Sequence, residues 1–300
     1  MRMKRLVLLL VFFWNLENFF DCSDGGYSPS DAAFSARGER HWTRRRFEAK
    51  CAAVAKTIFA CADIHGEMPE IAAFAEVENI GVLRRLINLT GLRKWDYAPV
   101  LFESSDIRGI DVGLIYRRDC LRLTSARPHS IPGLQTRDLL VATFVSPEGD
   151  SLSVIVCHHP SKYGGAASIP KRKAAVASTL AAADSLSSAG WDEILIIGDF
   201  NDTPDSGIYD PLRDRFKCLA APLQDKNRGS IRFEGAWEMI DQAWVGGEAN
   251  ACQQICEFDF LTYRDPSHPG LKPRRTYSGP RYIGGVSDHY PIVVNIIKND

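Results

Sequence analysis

The chain has 300 residues, 45% of them hydrophobic and 24% charged, with a formal net charge of −1. This composition argues against extended disorder and suits one large buried core, so a single domain over residues 1–300 is expected. Charge so near balance gives no global field toward nucleic acid or an acidic membrane, and any anion binding must be local.

Met1 to Phe13 joins a basic start to an apolar run, as a signal segment does, yet no small-residue cleavage site follows. The run is also shorter than the roughly 20 apolar residues a membrane-spanning helix needs. Residues 4 to 14 therefore read as a first buried strand, which leaves localisation open between cytoplasm, the favoured reading, and export.

Short β-branched apolar runs predict strands at Leu6–Trp14, Glu70–Ala75, Val112–Tyr116, Leu139–Val145, Leu152–Cys157, Glu193–Ile197, Ile240–Val245 and Pro291–Ile297. Helical stretches fall between them at Arg45–Ala62, Val82–Leu89 and Arg172–Leu186, the last with Pro170 near its first turn and Gly190 beyond its end. Gly, Pro, Ser and charged residues mark loops at Asp21–Gly38, Gln224–Gly235 and Asp265–Tyr282. None of the eight cysteines forms a C-x₂-C pair, and the spacing of Cys252 and Cys256 suits one helix face. Free thiols explain the set, with disulfides still open.

Polar residues follow the predicted strands with a regularity that packing does not ask for. Asn15 and Glu17 follow the first, Glu76 and Glu78 the second, His158 and His159 the fifth, and Asp199, Asn201 and Asp202 the sixth; Asp241 lies on the seventh, and Asp288 with His289 precedes the last. Singly, such residues are turn formers or helix caps. Together, carboxylates, an amide and histidines at strand ends are the parts of a site for hard-cation binding and proton transfer. Oxygen donors without matching thiolates favour Mg²⁺, with Mn²⁺ or Ca²⁺ next and a histidine-built zinc site as the alternative.

These motifs resemble the endonuclease/exonuclease/phosphatase superfamily, and a bacterial branch of undefined substrate in particular. Gly198-Asp199-Phe200-Asn201 and Ser287-Asp288-His289, in order after Glu76, carry the likeness, with Trp14 to Asp21, Arg108 to Val112, His159 to Gly165 and Gly284 to His289 extending it. The resemblance implies a four-layer α/β sandwich of two face-to-face, mostly antiparallel sheets flanked by helices, with the site at one end of the sheets. Residue by residue, it implies Glu76 as the main metal ligand with Asn15 and Asp288 near the ion, and His289 as the essential imidazole oriented by Asp241. It also implies Asp199 orienting or deprotonating water, Asn201 bonding the scissile phosphate and His158 donating to its oxygens. The family has one histidine where this chain has two: His158 fits the strand end better, and His159 then has a structural role.

The implied activity is divalent-metal-dependent hydrolysis of a phosphate ester by in-line attack of water. A phosphodiesterase or nuclease is favoured over a phosphomonoesterase, a phosphoinositide phosphatase or a lipid-headgroup diesterase, so the partner is a phosphate ester, with nucleic acid or a nucleotide foremost; no obligate protein partner is inferred. A catalytically silent fold is disfavoured because Glu76, Asp199 and His289 are all present. Arg37 to Arg46, with Trp42 among its arginines, reads either as a base-stacking surface or as a solvated helix start. Lys272 to Tyr277, which includes Arg275, reads as substrate-facing. Lys162 is a candidate phosphate ligand, and Arg108 with Asp111 either shapes the pocket floor or simply pairs near a turn.

Overall fold

The computed structural model describes residues 7–298 apart from 24, 27 and 247–249. The basic start of the N-terminal run and Leu6, the first residue of the expected first strand, lie outside the described residues. From Val7 onward the run is a strand, Val7–Phe19, in the interior of a six-stranded sheet. In spatial order that sheet holds Asn250–Ile255, Ile292–Lys298, Val7–Phe19, Ile71–Val77, Asp111–Arg117 and Tyr97–Leu101. A second six-stranded sheet holds Arg122–His129, Leu139–Val145, Ser151–His158, Ile194–Asp199, Asp241–Val245 and Lys217–Cys218.

Each sheet has one parallel pair near its centre: Val7–Phe19 beside Ile71–Val77, and Ser151–His158 beside Ile194–Asp199. The other pairs in these sheets are antiparallel among the described residues. A parallel pair needs a crossover, and the two longest helices lie within these crossovers. Arg44–His65 connects the first pair and Ile169–Ser188 the second. Thr43 caps the former, and Gly66 ends it in the left-handed region at φ 81°.

Period-two alternation explains how the layers stack. Leu195 and Ile197 join the large core between the sheets, while Ile194 and Ile196 join a second cluster with Val176, Ala183 and Leu186 of the Ile169–Ser188 helix. On the other side, Phe47, Val54 and Ile58 of the Arg44–His65 helix pack into the large core. The result is the expected α/β sandwich with helices outside two mixed sheets.

Several boundaries differ from expectation for physical reasons. The first strand continues through Asn15 to Phe19, with its pairing to Ile71–Val77 interrupted between Asn15 and Phe19. The strands Tyr97–Leu101, Arg122–His129, Lys217–Cys218 and Asn250–Ile255, which apolar periodicity did not predict, are the four sheet edges. The last corrects the reading of Cys252 and Cys256 as one helix face: Cys252 is exposed on that strand, and buried Cys256 follows it with its Sγ 3.1 Å from that of Cys61. All eight cysteines are free thiols. The expected loops hold short elements as well, a helix at Pro29–Ala33 and strands at Ile231–Phe233, Leu271–Pro273, Tyr277–Ser278 and Arg281–Tyr282. No helix among the described residues is long and apolar enough to cross a membrane.

Candidate active site

The carboxyl ends of the two parallel pairs point to the same end of the sandwich, the place where open α/β sheets hold ligands. Asn15, Glu17 and Glu76 come from the first pair, and His158 and Asp199 from the second. Asp241 opens the strand beside Asp199, opposite it in register, and Ser287-Asp288-His289 leads into the last strand.

Polar contacts join the two sheets here. Asn15 Nδ2 donates to Asp199 Oδ2 at 2.9 Å, and Asn15 Oδ1 accepts from the Glu17 backbone at 2.9 Å. His158 Nε2 lies 3.4 Å from Asp199 Oδ2 and 4.0 Å from Glu76 Oε1. His289 Nδ1 donates to Asp241 Oδ2 at 2.7 Å, while its Nε2 lies 3.9 Å from Asp288 Oδ1. Ser287 Oγ donates to the Asn15 carbonyl and accepts from His289 N, and Trp14 Nε1 donates to the His289 carbonyl, so the last strand is tied to the first.

Backbone strain gathers at the same end. Of the eight non-glycine residues with positive φ among those described, Glu17, Asn18, Glu76 and Asn201 are four. Side-chain sterics disfavour that region, and such positions concentrate where geometry serves a site. Glu76, at φ 61°, lies where pairing with Asp111–Arg117 shifts register between Ala75 and Val77. The irregularity departs from strict alternation at Glu76 itself.

The buried charges fall into two groups. Burial alone would lower the His289 imidazole, but Asp241, Asp199 and Asp288 hold it well above its ordinary value, so it is an imidazolium at neutral pH. Burial pushes Asp199 up to about 7, offset in part by His289. Burial and the nearby guanidinium of Arg137 keep His158 well below its usual range and therefore neutral. Around Glu76, burial is outweighed by Arg108, whose guanidinium donates to Oε1 at 2.7 Å, by Arg137 and by Asn18 N; its carboxyl stays below the usual value.

Glu17 accepts from Arg275 Nε at 2.7 Å and from Thr276 N, and Arg275 also reaches Asp288 at 3.1 Å. Burial and Asp288 raise Glu17 to about 7. Under these groups lies Lys50, buried on the helix, its Nζ donating to the Glu17 carbonyl and Thr276 Oγ1. Burial lowers it to about 8 against the pull of Glu17, Glu76 and Asp288. Lys50 was not among the expected site residues. Its signal was its place on the buried stripe of Phe47, Cys51, Val54 and Ile58. Arg137, also unexpected, donates to the His158 and His159 carbonyls and pairs with Asp106.

Carboxylate oxygens with no thiolate among them suit a hard divalent cation, and Glu76 and Asp288 fit that requirement. Asn15, expected near the ion, has its amide nitrogen on Asp199 and its Oδ1 on the Glu17 backbone N–H. Another group, Asp199, Asp241 and His289, has ligand atoms within 4.8 Å of one another. There the Nδ1 proton already bridges His289 to Asp241, which makes this group better suited to moving protons than to holding a cation.

Other expectations resolve individually. His159 points away from the site, its ring on Phe200 and its Nε2 3.1 Å from Thr179 Oγ1, because successive strand residues face opposite sides. Asn201 Nδ2 donates to the His159 carbonyl and its backbone N–H to Asp199. Arg108 pairs with Glu76 and Asp111 with Ser104, so the two are not each other's partners. Lys162 pairs with Glu238. Trp42 is buried with Nε1 on the Phe20 carbonyl, which excludes the base-stacking reading, and Arg44 begins a helix as an exposed ion pair with Glu48. Of the second basic segment, Lys272 pairs with Asp265 and Arg275 faces the site.

A family profile described as Endonuclease/Exonuclease/phosphatase family matches residues 10–298. Among solved structures, an endonuclease/exonuclease/phosphatase family protein from Bacteroides thetaiotaomicron is similar with a TM-score of 0.60 at 14% identity, covering 98% of this chain and 99% of that one. Truncated TDP2 from Caenorhabditis elegans is similar with a TM-score of 0.60 at 14% identity, covering 97% and 98%. The human Nocturnin catalytic domain with bound sulfate gives 0.59 at 14%, covering 97% and 95%. No curated protein matches the chain. At such identities the structural likenesses speak to the fold, and the profile match speaks to descent. The chain belongs to the Endonuclease/Exonuclease/phosphatase family, whose membership supports a metal-dependent hydrolase of phosphate esters.

Proposed function

We propose that the chain is a magnesium-dependent phosphodiesterase acting on a nucleotide-type ester, by in-line attack of water. The observation that carries this reading is His289, held by Asp241 at 2.7 Å in one buried cluster with Asp199.

Glu76 and Asp288 would hold the ion, which supplies neutralisation of charge on the phosphate and leaving oxygens. Asp199, steadied by the Asn15 amide and the Asn201 backbone, orients the attacking water and takes its proton. His289 presents its Nε2 proton to a phosphate oxygen, while Asp241 keeps the ring in the required tautomer and plane. Neutral His158 offers a donor to the phosphate without adding charge. The open oxygen of Asn201, Arg108, Arg275 and Lys162 are candidate contacts to the rest of the substrate.

The test is hydrolysis of methyl p-nitrophenyl phosphate beside p-nitrophenyl phosphate, with magnesium, by wild type, His289→Ala and Asp199→Asn. Diester cleavage is expected to fall by at least about 10²-fold in each variant with circular dichroism unchanged. A loss below about tenfold at either residue breaks the assignment. Cleavage of the monoester alone makes the protein a phosphatase. Metal-depleted enzyme that recovers fully with zinc and not at all with magnesium overturns the choice of ion.

A further inference from the structure

Two cavities flank the loop Asp106-Ile107-Arg108, and they are opposite in charge. One, of about 520 Å³, is lined by Asp21, Asp31, Glu78, Glu103, Asp106 and Asp111 and, among the described residues, by no cation. The other, of about 530 Å³, is lined by Arg108, Arg137 and Lys171, with Asp106 its only carboxylate. Asp106 is paired with Arg137 at 3.1 Å and Arg108 with Glu76 at 2.7 Å, so the excess positive charge of this cavity is that of Lys171. Both volumes lie in the range of small-molecule sites. Charge therefore decides between them for an anionic substrate: a phosphate is repelled from the first and drawn to the second.

Two residues of the basic cavity, Arg108 and Arg137, also bond to groups of the proposed site. Arg108 donates to Glu76, and Arg137 holds the carbonyls of His158 and His159. The Nε of Arg108 is buried and has no hydrogen-bond partner, a donor available to a bound anion.

At the rim is Tyr163, 93% exposed. A tight turn carries it there. Gly165 N bonds the Lys162 carbonyl at 3.0 Å, and Gly164 has φ 94° and ψ 2°, the conformation that the third position of a type II turn demands of glycine. Tyr163 is the residue before it, on the turn's tip, and its ring packs on no other aromatic ring among the described residues. Ile107, 65% exposed, lines the same cavity. A ring left in water beside guanidinium groups and a lysine has the form of a stacking platform for nucleic-acid bases.

We propose that this cavity is the subsite for the nucleotide unit next to the scissile bond, with the neighbouring phosphate among Arg108, Arg137 and Lys171 and the base stacked on Tyr163. This rests on the phosphodiesterase reading and adds a direction to it, since the substrate leaves Glu76 toward Lys171 and away from the acidic cavity. Because any base has a face to stack, recognition is tolerant of sequence. The same chemistry belongs to a single strand or to a small nucleotide ester, and the test separates them.

Three substrates serve: methyl p-nitrophenyl phosphate, the p-nitrophenyl ester of thymidine 5′-phosphate and a mixed-sequence single-stranded octadeoxynucleotide. Tyr163→Ala is expected to lower kcat/KM about tenfold on substrates that use the subsite, and Lys171→Ala to lower it several-fold while reducing the log–log salt slope by about one. Methyl p-nitrophenyl phosphate should stay within about twofold, since it carries no base to stack. An effect on the octamer alone identifies a strand, and an effect on both nucleoside-bearing substrates a single nucleotide unit. An equal loss on all three, or no loss on either of the two, overturns the proposal. Fluorescence anisotropy of a labelled octamer with His289→Ala protein keeps the subsite separate from the chemistry. A wild type that cleaves methyl p-nitrophenyl phosphate, with Tyr163→Ala losing nothing on either nucleoside-bearing substrate, refutes the subsite and spares the phosphodiesterase. Binding that weakens with Tyr163→Ala, in a protein that cleaves no diester, does the reverse.

Discussion

The strand Ile71–Val77 is bracketed by two buried glutamates, and they differ in what surrounds them. Glu70 precedes it, its Oε2 accepting from Leu10 N at 2.8 Å, and burial pushes its carboxyl up to about 7. Glu76, near the other end, is as deeply enclosed, yet Arg108, Arg137 and the Asn18 backbone keep it below its ordinary value. Burial is common to both. Cationic partners are what distinguish the site end, where an ionised carboxylate is maintained at neutral pH.

The largest effect should come from Glu76→Gln, which keeps the shape and removes the charge. Loss of a metal-binding carboxylate is expected to lower magnesium-dependent hydrolysis on the order of 10³-fold, read as kcat/KM under saturating metal. The matching change at Glu70 should leave turnover within about twofold, because it touches no reacting group. Equal losses at both ends would erase the distinction between them. Next comes Lys50, a buried cation beneath the site end. Lys50→Met leaves Glu17, Glu76 and Asp288 with less compensation and is expected to destabilise the fold by about 3–5 kcal/mol, measured by urea denaturation. A loss under about 1 kcal/mol would mean that the carboxylates do not depend on it.

The smallest effect sharpens the Glu70 side. Its folded-state pKa lies above the unfolded value, so its contribution to stability is full below pH 4.5 and is lost as pH rises through about 7. Wild type should therefore lose on the order of 3 kcal/mol more stability than Glu70→Gln between pH 4 and pH 8. Parallel pH profiles of the two proteins would place the titration elsewhere.

How much of this was legible in the sequence depended on position in the sheets. Interior strands such as Leu139–Val145 and Ile194–Asp199 are covered on both faces and read as unbroken apolar runs. The unpredicted strands are edges. Arg122–His129 is largely exposed and ends near Pro128, and Asn250–Ile255 alternates exposed with buried residues over only six positions. At the site, the strand-end groups could be named because they interrupt apolar runs. Arg137 could not, since its partners are chiefly backbone carbonyls, which carry no residue identity, and Lys50 showed only as a cation on the buried stripe of its helix. Trp42 misled in the opposite sense: arginines around a tryptophan suggested an exposed platform, whereas its ring is enclosed and the aromatic exposed beside the basic cavity is Tyr163.

The hydrogen bond from Asn15 to Asp199 crosses between layers that share no backbone ladder. His158 with Glu76 spans the same gap. A slip of one sheet over the other would keep every strand pair and much of the greasy interior, yet it would pull these side chains apart. The active centre thus works as a gauge of how the layers are seated: a chain that turns over substrate reports that its two halves have closed in the right alignment.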